Sequence, residues 1–213
     1  NVTESSLDYR AGVEPPQRSG RQLRGRTAGI IGYGAIGSYL AGALRGLGVH
    51  VLVHDPQVDA TPDGFEQASL DDLLGRADIV LPLAASTPAT HHMIGARALA
   101  LMRPGSLLVN VSRGELLDET AVATALDSGH LGGLAMDVGR APDQMPSPAL
   151  ARHPLVIATP HIGGLTPAAI EHQSMETVAQ VTALVQGRVP DGAVNAKHAA
   201  RWRAWLKQQG ITA

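Results

Sequence analysis

The chain has 213 residues, 44% of them hydrophobic and 17% charged, which is enough for one or two folded domains with a sizeable core. Seventeen Lys and Arg against 19 Asp and Glu leave a formal net charge of −2, so the chain lacks the basic excess of a nucleic-acid-binding protein. The absence of cysteine excludes disulfides, thiolate metal sites and cysteine nucleophiles. No apolar run approaches the roughly 18 residues of a membrane span, and the polar start has no secretory signal. We therefore expect a cytoplasmic protein with no nucleic-acid partner, no membrane partner and no metal site.

Short apolar runs alternate with helical segments along the chain. Residues 1–24 have little apolar periodicity and two consecutive prolines, so they are predicted to be a connector. The apolar runs, typical of strands covered on both faces, are 28–31, 49–53, 79–83, 106–111, 131–136 and 155–158. Helical spacing is present in 36–47 and 120–126, and 166–186 predicts a long closing helix. This alternation predicts a parallel sheet with right-handed crossovers.

A glycine-rich sequence joins the first predicted strand to the first predicted helix. In such a GxGxxG turn the first glycine permits the tight turn, the second lets the backbone approach a pyrophosphate, and the third allows close helix packing. The predicted dinucleotide-binding residues are Gly32, Gly34, Ala35, Ile36 and Gly37. The alternative is a glycine-rich turn that binds no ligand.

An acidic residue ends the second predicted strand. Asp55 lies 18 residues after Gly37, near the spacing at which a carboxylate accepts hydrogen bonds from the adenosine ribose. Because a carboxylate repels a 2′-phosphate, Asp55 predicts NAD rather than NADP as the cofactor. The alternative is that Asp55 is only a turn residue before Pro56.

Four further motifs follow in order, each near the end of a predicted strand. They are Ser86-Thr87-Pro88-Ala89-Thr90, Asn110-Val111-Ser112-Arg113-Gly114-Glu115, Ala135-Met136-Asp137-Val138 and Thr159-Pro160-His161-Ile162-Gly163-Gly164. From about Arg24 to Asn195, the chain thereby resembles the NAD-dependent D-2-hydroxyacid dehydrogenase family. The resemblance implies an α/β fold with a Rossmann-like doubly wound parallel sheet. It also implies hydride transfer between NAD(H) and a small 2-hydroxy or 2-oxo acid.

The resemblance implies roles for individual residues. Arg113 would bind the carboxylate and carbonyl of the substrate through two hydrogen bonds. His161 would exchange a proton with the substrate oxygen, because histidine titrates near the required pH. Cofactor contacts are implied for Thr90, Val111, Ser112, Arg113, Asp137, His161, Gly163 and Gly164. For Asp137, a helix cap or a strand-end turn explains the residue equally well.

The chain departs from the family pattern where a carboxylate partner of the histidine is expected. The family usually has an Asp-Val-Phe run followed shortly by Glu-Pro, whereas no Glu lies between Asp137 and Pro146. Asp143 is the nearest carboxylate and is predicted to be the third catalytic residue. If Ala141 or Pro142 occupies that position instead, His161 has lost its partner. The missing Glu-Pro favours an alternative function, a catalytically impaired NAD(H)-binding regulatory module.

The resemblance also implies a second lobe, formed by the N-terminal part of the family's chain and its C-terminal tail. We predict that residues 25–187 form the NAD-binding domain and that 188–213 belong to the substrate lobe. The 24 residues before the domain are too few for an independent domain of roughly 50 residues. We therefore expect the N-terminal part of the lobe to be absent and this fragment to be inactive alone. The family resemblance further predicts a homodimer.

Overall fold

The apolar runs of the sequence form a seven-stranded parallel sheet in a computed structural model, which describes residues 2–17, 19–58, 61, 63–193 and 195–211. The strands are β1 (Thr27–Ile31), β2 (His50–His54), β3 (Glu66–Gln67), β4 (Ile79–Pro82), β5 (Ser106–Asn110), β6 (Leu131–Met136) and β7 (Val156–Ala158). Their order across the sheet is β3-β2-β1-β4-β5-β6-β7, and every neighbouring pair is parallel. The strand order thus progresses outward on both sides of the β1–β4 pair, which confirms the predicted doubly wound fold.

Helices follow most of the strands. They are α1 (Val2–Arg10), α2 (Ala35–Gly46), α3 (Leu70–Arg76), α4 (Ala96–Leu101), α5 (Glu119–Asp127), α6 (Pro148–Ala151), α7 (Pro167–Val185) and α8 (Ala200–Gln208). Three of them begin at a polar side chain that accepts hydrogen bonds from the first turn: Ser69 for α3, Asp118 for α5 and Thr166 for α7. These caps satisfy amides that have no partner within the helix.

The chain forms two compact units, residues 1–161 and 162–213. In the first unit, aliphatic cores lie on both faces of the sheet. The larger core includes Leu73 of α3 and Leu126 of α5, whereas the smaller core includes Ala41 of α2. Burial alternates along β5 between buried and half-buried residues, so only one face of that strand is fully covered. The sheet therefore joins two hydrophobic layers of unequal size.

The second unit contains α7 and α8. The indole Nε1 of Trp202 donates a hydrogen bond to the carbonyl of Leu184 at 3.0 Å, and Ala183 and Leu206 are buried. The predicted helix at 166–186 is present as α7, one residue shorter at each end. The predicted domain boundaries, 25–187 and 188–213, differ from the division into units and stay predictions. No described helix is long and apolar enough to cross a membrane.

Leu73 offers a test of the larger core. It is fully buried against β1, where a Cβ on Gly29 would collide with its side chain. Leu73→Ala is expected to lower the free energy of unfolding by about 2–5 kcal/mol, because it leaves a cavity. Urea denaturation measures the change. The control is Leu47→Ala, at a residue that is 57% exposed, with an expected effect of about 0.5 kcal/mol or less. Equal losses for the two variants would contradict this packing.

Candidate active site

Glycines shape the turn between β1 and α2. Gly32 has a φ of 103°, and a Cβ there would lie 2.8 Å from the amide nitrogen of Ala84, which follows β4. A Cβ on Gly37 would collide with the carbonyl oxygen of Gly32. By contrast, a Cβ on Gly34 would meet nothing within 4 Å. The first and third glycines close the turn, while the second leaves room beside the amides at the start of α2, which attract anions.

The carboxylate of Asp55 faces this turn from the end of β2. Its Oδ2 accepts a hydrogen bond from the main-chain N–H of Tyr33 at 2.8 Å, and its Oδ1 accepts one from the N–H of Gln57 at 2.9 Å. Asp55 therefore stabilises the turn at Pro56, which was the alternative to a role in binding the ribose. The same contacts also hold its carboxylate beside the glycine turn, where a ribose-binding acid is expected.

Tyr33 secures the segment beyond Asp55. Its hydroxyl donates a hydrogen bond to Oδ2 of Asp63 at 3.1 Å, and its ring packs edge-on against Phe65 at a centroid distance of 6.2 Å. The guanidinium of Arg45 lies 4.3 Å above the centre of the Phe65 ring. Burial, followed by the hydrogen bond to Asp63, raises the pKa of Tyr33. The phenol therefore stays neutral at physiological pH and acts as a hydrogen-bond donor.

Two predicted site residues bind the segment that follows β4. The hydroxyl of Thr90 donates a hydrogen bond to the carbonyl of Ala85 at 2.6 Å, and that of Ser112 donates one to the carbonyl of Ala84 at 3.0 Å. Gly32 packs against the same segment. These contacts bring together the ends of β1, β4 and β5. This is the point at which the strand order reverses and where open α/β sheets bind ligands.

Asn110, which was not singled out from the sequence, supports the turn that carries Arg113. It is fully buried, its Nδ2 donates to the carbonyl of Arg113 at 2.9 Å, and its Oδ1 accepts from the N–H of Ser112 at 3.1 Å. The Arg113 guanidinium is exposed and donates to the carbonyl of Ser112 at 2.7 Å. No carboxylate among the described residues pairs with Arg113. A polar residue at the end of an apolar strand is the signal that could have identified Asn110.

Asp137 lies at the end of β6 and is buried. Its Oδ1 accepts a hydrogen bond from the hydroxyl of Thr159 at 2.5 Å, and its N–H donates to the carbonyl of Asn110 at 3.2 Å. Thr159, directly after β7, was likewise not predicted from the sequence. These bonds connect the ends of three adjacent strands, β5, β6 and β7.

His161 follows β7 and has a φ of 54°, in the left-handed region. Its Nδ1 lies 3.0 Å from the main-chain carbonyl oxygen of Asp143. The atom of Asp143 beside the imidazole is thus its main-chain carbonyl oxygen and not the carboxylate that the sequence led us to expect. Asp143 itself has a φ of 58°, and this left-handed turn directs its carbonyl toward the imidazole. The sequence pattern carried no signal for a main-chain partner.

The other predicted residues divide between the two units. Ala35 and Ile36 are exposed in the first turn of α2, and Val111 is exposed directly after β5. Gly163 and Gly164 follow His161 in the chain and belong to the unit formed by residues 162–213.

Together, a glycine turn at the switch point of a doubly wound sheet and an acid at the end of β2 define a dinucleotide-binding domain. The sequence model of the family "D-isomer specific 2-hydroxyacid dehydrogenase, NAD binding domain" matches residues 1–163. The chain belongs to this family, and its cofactor is NAD.

Individual relatives agree with this assignment. The chain is 37% identical to D-3-phosphoglycerate dehydrogenase of Mycobacterium leprae over 198 residues. This aligned region covers 91% of this chain and 37% of that protein. The chain is also 39% identical over 177 residues to (S)-sulfolactate dehydrogenase of Chromohalobacter salexigens, covering 81% of this chain and 56% of that protein. The chain thus spans well under two thirds of the length of either relative.

Solved structures show the same architecture. A glyoxylate reductase from Paecilomyes thermophila matches with a TM-score of 0.80 and 30% identity, over 86% of this chain and 57% of that chain. A D-lactate dehydrogenase from Aquifex aeolicus, complexed with NAD and lactic acid, matches with a TM-score of 0.77 and 30% identity, over 87% and 62%.

The residues of the glycine turn fit NAD. Gly34 adds no side chain over the start of α2, so a pyrophosphate can approach the backbone there. Each oxygen of Asp55 accepts one hydrogen bond from the protein and retains a lone pair for a ribose hydroxyl. The turn would therefore hold the pyrophosphate, and Asp55 the adenosine ribose.

Gly34→Val tests this fit. We expect NADH affinity to fall at least about tenfold, or about 1.4 kcal/mol, because the new side chain occupies the space over the turn. The thermal midpoint is expected to change little, since a Cβ at Gly34 meets nothing within 4 Å. NADH fluorescence titration measures the affinity. Gly42→Ala, at an uncrowded glycine within α2, is the control and is expected to bind NADH like the parent. Unchanged affinity in Gly34→Val would refute the assignment.

Proposed function

We propose that the protein is an NAD-dependent D-2-hydroxyacid dehydrogenase that acts on a small 2-hydroxy or 2-oxo acid. The observation that carries the proposal is the position of Arg113 and His161. They follow β5 and β7 at the carboxyl edge of the sheet that also carries the glycine turn. A domain that only bound NAD would need neither a guanidinium nor an imidazole at the ends of these strands.

The chemistry assigns one task to each residue. When bound as NADH, the cofactor supplies the hydride that a 2-oxo acid receives at C2. Arg113 binds the substrate carboxylate through the N–H groups that Ser112 does not use, and this orients and polarises the carbonyl. His161 delivers a proton from Nε2 to the substrate oxygen, which completes the 2-hydroxy acid. In the oxidative direction Nε2 accepts that proton.

We also propose cofactor contacts for the remaining predicted residues. Thr90, Val111 and Ser112 follow β4 and β5 near the switch point, and Val111 is 50% exposed despite being apolar. Asp137, at the end of β6, lies along the same edge of the sheet. Gly163 and Gly164 would allow close approach of the chain after His161. For Thr90, Val111, Ser112 and Asp137, the common position after strand ends supports this assignment.

A second candidate function is an NAD(H)-binding regulatory module. The contact between His161 and a carbonyl favours it, because no described carboxylate pairs with this imidazole. Turnover distinguishes the two functions: a module would bind NADH and reduce no 2-oxo acid.

We further propose that the protein is a cytoplasmic homodimer and that residues 1–213 alone are inactive. Exposed apolar side chains on and after α2, Tyr39 at 81% and Leu47 at 57%, support an interface on the coenzyme domain. A substrate pocket formed mainly by a second lobe would account for inactivity of the shorter chain. A monomer mass in light scattering at all concentrations would contradict the dimer.

Asp55→Ala tests the choice of cofactor. The parent is expected to bind NAD(H) more tightly than NADP(H), because the carboxylate repels the 2′-phosphate. In the variant the ratio of the two affinities should narrow, since that repulsion is gone. Calorimetric titration with both nucleotides measures the ratio. Glu115→Ala, a carboxylate after β5, is the control and should keep the parental preference. Equal affinity of the parent for both nucleotides would remove Asp55 from this role.

Arg113→Ala and His161→Ala test the catalytic assignment in the full-length protein. Arg113→Ala is expected to raise the KM for the 2-oxo acid and lower kcat, because the carboxylate contact is lost. His161→Ala is expected to lower kcat by about 10²–10⁴-fold, the usual contribution of proton transfer. NADH affinity should change far less than these kinetic constants in either variant.

Matched controls are Arg152→Ala and His172→Ala, at exposed residues outside the site. Steady-state assays with a panel of small 2-oxo acids measure both constants. Parental activity in either site variant would contradict its role, and no turnover by the parent would favour the regulatory module.

A further inference from the structure

The loop between β6 and α6, residues 139–146, folds back on itself. The N–H of Gly139 donates to the carbonyl of Gln144 at 2.7 Å, and the N–H of Ala141 donates to that of Met145 at 3.0 Å. A Cβ on Gly139 would lie 2.5 Å from the Cα of Pro146 and 2.6 Å from the carbonyl oxygen of Met145. The loop can close in this way only because residue 139 has no side chain. This is the position at which the family pattern usually has a phenylalanine.

Two contacts hold the closed loop at the edge of the sheet. A Cβ on Gly114, directly after Arg113, would collide with the carbonyl of Gly139, so the two backbones are in direct contact. On the outer side, Nη1 of Arg140 lies 2.9 Å from Nε2 of His92, whose ring stacks on His91. A guanidinium can only donate, so Nε2 of His92 is the acceptor. The loop is thereby fixed between the Arg113 turn and the segment after β4.

The tip of the loop is left-handed at two consecutive residues that are not glycine. Asp143 and Gln144 both have a φ of 58°, and His161 has a φ of 54°. Such conformations persist only where surrounding contacts impose them. Here they place the carbonyl oxygen of Asp143 3.0 Å from Nδ1 of His161. The Asp143 carboxylate, in contrast, has no hydrogen-bond or ion-pair partner among the residues that the structure describes.

A main-chain carbonyl has lone pairs but no proton, so Nδ1 must donate in this contact. We propose that the carbonyl of Asp143 is the positioning partner of His161, in place of the carboxylate that the family pattern supplies. It fixes the tautomer in which Nδ1 carries the proton and Nε2 has the lone pair. This tautomer leaves Nε2 to exchange a proton with the substrate, a step that rests on the proposed function. Gly139 is the residue that makes the replacement possible, because it lets the loop close.

The tautomer can be measured without substrate or cofactor. In protein labelled with ¹⁵N-histidine, long-range ¹H–¹⁵N spectra above the titration range distinguish a protonated Nδ1 from a protonated Nε2. His161→Gln assigns the signal, and exposed His172 serves as the internal reference. We expect His161 to be protonated at Nδ1. A signal from Nε2–H in the parent would overturn the proposal.

Two variants test whether the carbonyl or the carboxylate of Asp143 is the partner of His161. Asp143→Asn removes the charge, keeps the carbonyl and tolerates the left-handed conformation, so the Nδ1–H signature should persist. In Gly139→Ala the new methyl group pushes residue 139 away from Met145 and Pro146, so the loop opens and the Nδ1–H signature should be lost. The control Gly42→Ala should retain the signature. Loss of the signature in Asp143→Asn, or its retention in a folded Gly139→Ala, would refute the carbonyl as partner.

If Gly139→Ala does not fold, Arg140→Ala tests the same loop through its exposed outer contact. We expect a partial shift toward the His172 reference, and an unchanged signal would count against the proposal. Failure of the proposed dehydrogenase function can be distinguished from failure of this proposal. It would appear as an absence of turnover while the Nδ1–H signature of His161 remains.

Discussion

The carboxyl edge of the sheet depends on close contacts between main-chain segments, which are possible only where a glycine has no side chain. Gly32 packs on the segment after β4, and Gly114 packs on Gly139. The first contact brings β1 against its neighbour at the switch point, and the second joins the turn of Arg113 to the loop that approaches His161. In both places a methyl group would overlap with backbone atoms. These two approaches thereby place the glycine turn, the Arg113 turn and the loop at residues 139–146 along one edge of the sheet.

The centre of the sheet was predictable, because β1, β2 and β4 are buried on both faces and such strands require a nearly continuous apolar run. The strand that was not predicted is β3, whose two residues, Glu66 and Gln67, are both exposed and leave no apolar signal. The short helices α3 and α4 were not predicted either, since six or seven residues complete fewer than two helical turns. In contrast, α7 has 19 residues, enough turns for the spacing of its apolar residues to predict its limits to within one residue.

In the candidate site, features that depend on neighbouring residues could be predicted, whereas those that depend on distant residues could not. The glycine turn and Asp55 could be recognised because their geometry arises within some two dozen neighbouring residues. The partner of His161 could not, since residue types describe side chains and its partner is a carbonyl. The conformation that presents this carbonyl depends on Gly139 and on a contact between Arg140 and His92, 48 residues apart. Asn110 and Thr159 stand in the strand-end motifs, but the sequence assigned them no role, because their importance lies in bonds to the Arg113 turn and to Asp137.

The left-handed backbone at His161 has a consequence for which residue is found there. An L-residue in this conformation is destabilised by roughly 1–2 kcal/mol, a cost that glycine avoids. Replacing the histidine by glycine would relieve this backbone strain, but it would also remove the imidazole and its contact with the Asp143 carbonyl. Backbone strain is tolerated mainly where the side chain has a task, which is the usual situation at functional sites. A histidine in a left-handed conformation is therefore better explained by the chemistry of its imidazole than by the stability of the domain.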